Sequence, residues 1–216
     1  KFITFEGPEG GGKSTHIRRL AERLNSLGQE VLLTREPGGT PTGEAIRGIL
    51  QHDQTGEAIC LEAELLLFEA SRAQLVRTVI LPALRKGIWV LCDRFADSTT
   101  AYQGYGRGFD LETILRLNQH AMGECVPDLT LLLDIDVQAG RERLAQRNRA
   151  QNTASDRIER EAVEFHERVR AGFLELAKRW PDRIKVVNVM REPDIVAGEI
   201  GKLVDSFFTL WMRKTQ

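Results

Sequence analysis

The stretch Gly7-Pro8-Glu9-Gly10-Gly11-Gly12-Lys13-Ser14 constrains this chain more than any other. It fits G-x-x-x-x-G-K-[ST]. It follows the β-rich run "KFITFEG" and precedes Ile17, Leu20, Ala21, Leu24 and Leu27, which recur at helical spacing until Gly28 stops them. A strand, a glycine loop and a helix in that order make a phosphate site. The glycines turn backbone N–H groups toward the anion, and the helix N-terminus adds positive potential. Gly7 to Gly12, with Lys13, Ser14 and Thr15, are therefore expected to cradle the phosphates of a nucleotide. Lys13 is placed to bridge the β- and γ-phosphates, and Ser14 to bind Mg²⁺. Glu9 fits poorly, because it is an acid inside a loop for anions.

Four further apolar runs, "EVLLT", "GIWVLCD", "LTLLLDI" and "IKVVNV", read as strands. They alternate with helical patterns over Thr42–Gln51, Glu62–Lys86 (interrupted near Pro82), Leu111–Met122 and Glu159–Arg179, and Pro193 opens a last helix. Continuous apolar strands separated by helices predict a parallel sheet covered on both faces, in one domain spanning 1–216. The segment "QRNRAQNTAS" (Gln146 to Ser155) has no apolar side to bury. It reads either as a surface loop or, with arginines at 141, 143, 147, 149, 157 and 160, as a mobile lid over about 141–160; the arginines favour the lid. The closing "LVDSFFTLWMR" reads as an amphipathic helix on the sheet, with a partner surface as the alternative.

Thirty basic and 31 acidic residues leave a formal charge of −1, so no global field favours nucleic acid or a membrane surface, and any basic site must be local. Arginine far outnumbers lysine, which suits a phosphate enzyme but also simple lineage bias. Cys60, Cys92 and Cys125 are odd in number and widely spaced, and His16, His52, His120 and His166 lack metal-ligand spacing and read as ordinary surface or helix positions. No apolar run approaches the ~18 residues of a membrane span. The chain is expected to be cytoplasmic, without a signal peptide, and trimmed by a few residues ahead of Lys1.

A GTPase switch needs N-K-x-D, and no asparagine here is followed by lysine. "DQTG" (Asp53 to Gly56) matches a D-x-x-G switch element but follows no apolar strand. The third strand instead ends in "CDRF", which puts Asp93 at the carboxyl edge of the sheet, where ligands of open α/β sheets collect. There Asp93 can hold Mg²⁺ through water or polarise an acceptor, and Arg94 can touch both donated and receiving phosphates. A plain structural ion pair is the alternative.

With "TREPGGT", "LLLFEASRAQ", "DRFADSTTAYQG", "PDLTLLLDI" and "DRIE" following "FEGPEGGGKST" in order, the chain closely resembles the bacterial thymidylate kinases, from Lys1 to about Leu176. The resemblance implies a three-layer α/β/α sandwich with five parallel strands, of the P-loop NTPase type. It implies transfer of the γ-phosphoryl of ATP to dTMP with Mg²⁺, and a homodimer. For Glu9 it implies a place at the sugar of the acceptor, against the alternatives that it faces solvent or pairs with an arginine. It places Arg47 and Arg94 at the acceptor phosphate, near the tight turn at Pro37, and Ser98, Thr99, Tyr102 and Gln103 over base and sugar, Tyr102 excluding a 2′-hydroxyl.

Phe68 and Arg72, at i and i+4, share one helix face, so the ring can stack on a pyrimidine while the guanidinium donates to a base carbonyl. An amino group there, as in cytosine, would leave a buried donor unpaired at ~1–3 kcal/mol. Phe68 as plain core is the alternative. Pro8 to Gly11 contain no base, unlike some members of the family, so the lid must supply the arginine that stabilises the transferring phosphoryl. Arg147, Arg149 and Arg157 are the candidates; Arg149 and Arg157 are assigned to catalysis, beside Lys13, Asp93 and Arg94. Extra residues ahead of "DRIE", "NTAS" among them, depart from the family pattern. A kinase for dUMP or other pyrimidines, and a slow nucleotide-dependent switch, are the competing readings.

Overall fold

A computed structural model describes residues 1–51 and 57–214, with side chains through 209. Five strands, β1 (Phe2–Glu6), β2 (Val31–Arg35), β3 (Trp89–Asp93), β4 (Leu129–Asp134) and β5 (Ile184–Asn188), form one parallel sheet in the order β2-β3-β1-β4-β5. Side chains alternate across it with period two. Ile3, Phe5, Leu91, Leu131 and Leu133 face α1 (Lys13–Ser26) and α9 (Pro193–Lys214) in one apolar layer. Phe2, Val90, Cys92 and Leu132 face the opposite helices. In α9, Val196, Ile200, Val204 and Phe208 recur every four residues and are all buried, so the closing helix packs on the sheet.

The first crossover runs outward through α1 to β2, whereas the chain leaves β3 for the other side of β1. The crevice above β1 and β3 is therefore the switch point at which ligands collect in such sheets. It is walled by α2 (Pro41–Gln51) and α3 (Leu61–Leu75). Helix α3 passes through a wide π-helical turn, Val76–Ile80, into α4 (Leu81–Arg85). The irregularity begins one turn ahead of Pro82, because a proline ring removes an N–H and crowds the carbonyl four residues earlier.

Three elements differ from the sequence expectation. After β3, α5 (Ala96–Thr99) opens into a wide turn, Thr100–Gly106, where no helix was expected, before α6 (Leu111–Met122). Helix α7 (Val137–Gln151) runs through the first half of "QRNRAQNTAS", buries Leu144 and Asn148, and stops at Asn152 in the left-handed conformation. Arginine, glutamine and alanine are good helix formers, so that segment needs no apolar face of its own to continue the helix. Helix α8 (Val163–Arg179) starts after Glu159 because Asp156 and Glu159 close a separate turn: each backbone N–H donates to the other's carboxylate, at 2.8 and 3.2 Å. His16 and His166 lie in helices, as expected, but are buried. No helix among the described residues is long and apolar enough to cross a membrane.

Candidate active site

The phosphate loop is held against the sheet by contacts only glycine permits. A Cβ on Gly10 would lie 2.2 Å from the carbonyl of Gly140 in the first turn of α7, and one on Gly140 would lie 2.4 Å from the carbonyl of Glu9. A Cβ on Gly7 would likewise lie 2.3 Å from the carbonyl of Leu133, whereas one on Gly11 would sit less tightly against it, at 3.2 Å. Glu9, Gly10, Gly12, Lys13, Ser14 and Thr15 line a cavity of about 640 Å³, while Gly7, Pro8 and Gly11 form the back of the loop. Lys13 Nζ donates to the carbonyls of Gly7 (3.1 Å) and Pro8 (2.8 Å). Burial, then the nearby Arg94, lowers its pKa to about 8. Ser14 Oγ donates to Asp93 Oδ2 at 2.9 Å. A hydroxyl beside a carboxylate at the phosphate loop is an oxygen pair that suits Mg²⁺, which completes its shell with phosphates and water.

At the end of β3, Arg94 adopts φ 67°, a left-handed conformation that costs a non-glycine residue of order 1 kcal/mol or more and turns its side chain back over the loop. Its guanidinium donates to Gly7 O (3.0 Å), Ser98 Oγ (3.1 Å), Glu9 Oε1 (2.6 Å) and the Tyr102 hydroxyl (3.0 Å). Glu9 therefore pairs with an arginine, and it also accepts from Tyr102 at 3.1 Å. Burial opposes its ionisation, but Arg94, Lys13 and the Tyr102 hydroxyl outweigh burial and hold the carboxyl at about 2. Beneath them Glu6, fully buried at the end of β1, accepts from Phe95 N (2.7 Å) and Ser98 Oγ (2.6 Å). Burial and neighbouring Asp97 push its pKa up to about 8.

The other end of the cavity is built by α3 and the turn after α5. Phe68, half-buried, and Arg72 both line it, as their i, i+4 spacing predicts. Arg72 is 1% exposed; four of its N–H groups donate to protein acceptors, and Nη2 also ion-pairs with Glu36. Nε and Nη2 meet Glu36 (2.9 and 2.8 Å), Nη2 also meets Thr99 (2.8 Å), and Nη1 meets Glu69 and Asn118 (2.7 Å each). Nη2, shared between the Thr99 hydroxyl and the Glu36 ion pair, is the nitrogen from which a base carbonyl would draw a hydrogen. Glu36 and Glu69 each keep one buried oxygen without a partner. Burial, against the pull of Arg72, raises the Glu36 pKa to about 7. Gln103 lines the same end, and its Nε2 donates to Glu64 at 2.9 Å. Between the two ends lies Pro37, after a cis bond from Glu36, with Arg47 Nη1 on its carbonyl at 3.0 Å and Arg35 paired with Glu44.

The arginines of α7 and of the segment after it divide in a way the sequence reading did not anticipate. Arg143 and Arg147 line the cavity, beside Leu144 and Glu159. Arg149 is exposed on α7 and lines none of it. Helical geometry explains this: 147 lies four residues beyond 143, whereas 149 is rotated by roughly 200° from 147. Arg157 also lies outside the lining. It donates to Leu50 O at 3.1 Å and to Glu64 at 2.5 Å, tying the segment after α7 to α2 and α3. Arg18, Glu36 and Glu64 were missed by the sequence reading; the signal for Glu64 is its place at i, with Phe68 at i+4 and Arg72 at i+8. "DQTG" and His52 lie outside the described residues. Among the described lining residues, Lys13 and seven arginines face five acids, a local excess of positive charge in a chain of net charge −1.

The family model for thymidylate kinase matches residues 5–200. The thymidylate kinase of Pelotomaculum thermopropionicum is 49% identical over 213 residues, covering 99% of this chain and 96% of its own length. That of Syntrophotalea carbinolica is 50% identical over 92% of both chains. The crystal structure of thymidylate kinase from Ehrlichia chaffeensis superimposes with a TM-score of 0.74 at 36% identity, covering 94% of this chain and 97% of the other. Near-complete coverage at half identity, on a sheet edge carrying both a phosphate loop and a second basic pocket, leaves one assignment: the chain belongs to the thymidylate kinase family.

Proposed function

We propose that this chain transfers the γ-phosphoryl of ATP to dTMP, giving ADP and dTDP, by in-line displacement across the one cavity. The observation that carries this reading is the pairing of two differently built ends in that cavity: Lys13 and Ser14 at one, and Phe68, Arg72 and Gln103 at the other, with Arg47, Arg94 and Glu9 between them. ATP lies on the loop from Gly7 to Thr15, where Lys13 exchanges its carbonyl partners for the β- and γ-oxygens. Ser14 and, through water, Asp93 would hold Mg²⁺, which when bound would supply charge neutralisation for the transferring group. The acceptor phosphate meets Arg47 and Arg94; its sugar lies against Glu9 and Tyr102, and its base against Phe68.

An already anionic acceptor needs no strong base, so catalysis is alignment and charge stabilisation. The segment over 141–160 serves as a lid that excludes water, and Arg147 and Arg143 deliver the positive charge that the loop interior lacks. By family likeness we also propose a cytoplasmic homodimer, tested by light scattering. ADP release measured side by side with dTMP, dUMP, dCMP and AMP tests the reading. Fast turnover confined to dTMP is expected, and ATP hydrolysis indifferent to all four overturns it.

A further inference from the structure

Glu64 is fully buried on α3, one helical turn before Phe68, and lines neither the phosphate end nor the base end of the cavity. Its two oxygens accept from three side chains: Gln103 Nε2 (2.9 Å), Arg107 Nε and Nη2 (3.3 Å each) and Arg157 Nη2 (2.5 Å). Burial works against its charge, but Gln103, Arg107 and Arg157 together keep the pKa below the ordinary value. An ionised carboxylate only accepts hydrogen bonds. The Gln103 amide therefore has one orientation, nitrogen toward Glu64, and its carbonyl oxygen is the atom left to meet a ligand. Gln103 is 2% exposed and lines the cavity beside Phe68 and Arg72, whose guanidinium is held by Glu36, Glu69, Asn118 and Thr99.

The geometry points to Glu64 as a positioning residue for base selection: by fixing Gln103 with its oxygen toward the acceptor, it makes the pocket take a pyrimidine that carries a proton on ring nitrogen N3 and reject one whose N3 is a bare lone pair. An oxygen facing an N–H makes a hydrogen bond, and an oxygen facing a lone pair buries two acceptors against each other, which costs ~1–3 kcal/mol. Thymine and uracil belong to the first class and cytosine to the second. Because Arg157 docks on the same carboxylate, the lid segment and the base reader share one anchor. This inference rests on the proposed acceptor site and deepens it.

The test is the ratio of kcat/KM for dTMP to that for dCMP in wild type, Glu64→Gln, Gln103→Leu and the double variant. A glutamine at 64 both donates and accepts, so it no longer dictates which way Gln103 turns. The ratio is expected to fall about tenfold or more in each single variant, and no further in the double variant than in Gln103→Leu, because both act through one amide. A loss of folding alone does not alter this ratio. The positioning role is overturned if Glu64→Gln keeps the wild-type ratio within about twofold, or if the two losses simply add. If Glu64→Gln does not fold, Glu64→Asp, which keeps the charge for Arg107 and Arg157 but draws the carboxylate back from Gln103, decides: a ratio kept within about twofold overturns the role, and a fall of about tenfold supports it. A wild-type protein inactive toward dTMP overturns the proposed function instead.

Discussion

The two ends of the cavity hold their cations in opposite ways. At the phosphate end, Lys13 rests on two loop carbonyls and Ser14 on Asp93, contacts of neutral or exchangeable groups that an incoming anion can replace. At the base end, Arg72 is bound to two buried carboxylates, a hydroxyl and an amide, none of them in the loop. Removing the first cation leaves polar groups that water can reach. Removing the second strands two acids in the core. A residue type that reads alike in the sequence thus serves ligand exchange in one place and structural integrity in the other.

The largest effect that separates them is Arg72→Ala. Loss of a buried partner to Glu36 and Glu69 is expected to cost about 3–5 kcal/mol of stability, read as a fall in the thermal midpoint of roughly 10 °C. A variant that melts like wild type removes the contrast. Lys13→Ala should do the reverse: kcat drops by about 10²–10³-fold while the midpoint stays within a few degrees. Arg94→Ala should likewise abolish most turnover, and near-normal rates in either variant refute these roles.

A subtler separation lies in pH. The Glu36 pKa is raised from 4.5 to about 7 in the folded protein, so the native state binds the proton more tightly than the unfolded chain does. That stabilisation is complete below about pH 4.5 and is lost as pH rises through 7, by an amount of about 3 kcal/mol. Glu36→Gln is expected to flatten the decline in denaturation midpoints across this window. At the phosphate end Lys13, lowered to about 8, gives kcat/KM for ATP an alkaline limb near pH 8, because only the charged form attracts phosphates. The smallest effect contrasts two neighbours on α7. Arg147→Ala should slow turnover about tenfold, and Arg149→Ala by less than about twofold, as the side chain lies off the cavity. Equal losses would contradict the orientation of that helix.

How well the sequence foretold each part follows from the range of the interaction that makes it. The phosphate loop, β1 and α1 are contiguous, so motif, strand and helix are visible together. Phe68 and Arg72 are separated by one helical turn, and periodicity places them. Glu64 obeys the same period, yet a carboxylate in an apolar helix reads as a solvated face until Gln103, Arg107 and Arg157 are seen to converge on it from segments 39, 43 and 93 residues away. Arg157 is matched by a local motif, but its destination depends on where α7 stops. The wide turn over Thr100–Gly106, rich in threonine, glycine and tyrosine, has no helical period to announce it and is imposed by packing against α8, through Phe165 and Val169 against Gly106.

The glycine-to-glycine approach between Gly10 and Gly140 bolts the root of α7 to the glycine loop after β1. With no side chain on either partner there is no spring between them, so a shift of one backbone is felt by the other at once. Arg147 stands seven residues out along the same rod, roughly 10 Å from that fulcrum. A side chain at either glycine would push the loop and the helix apart, and so carry Arg147 away from Lys13.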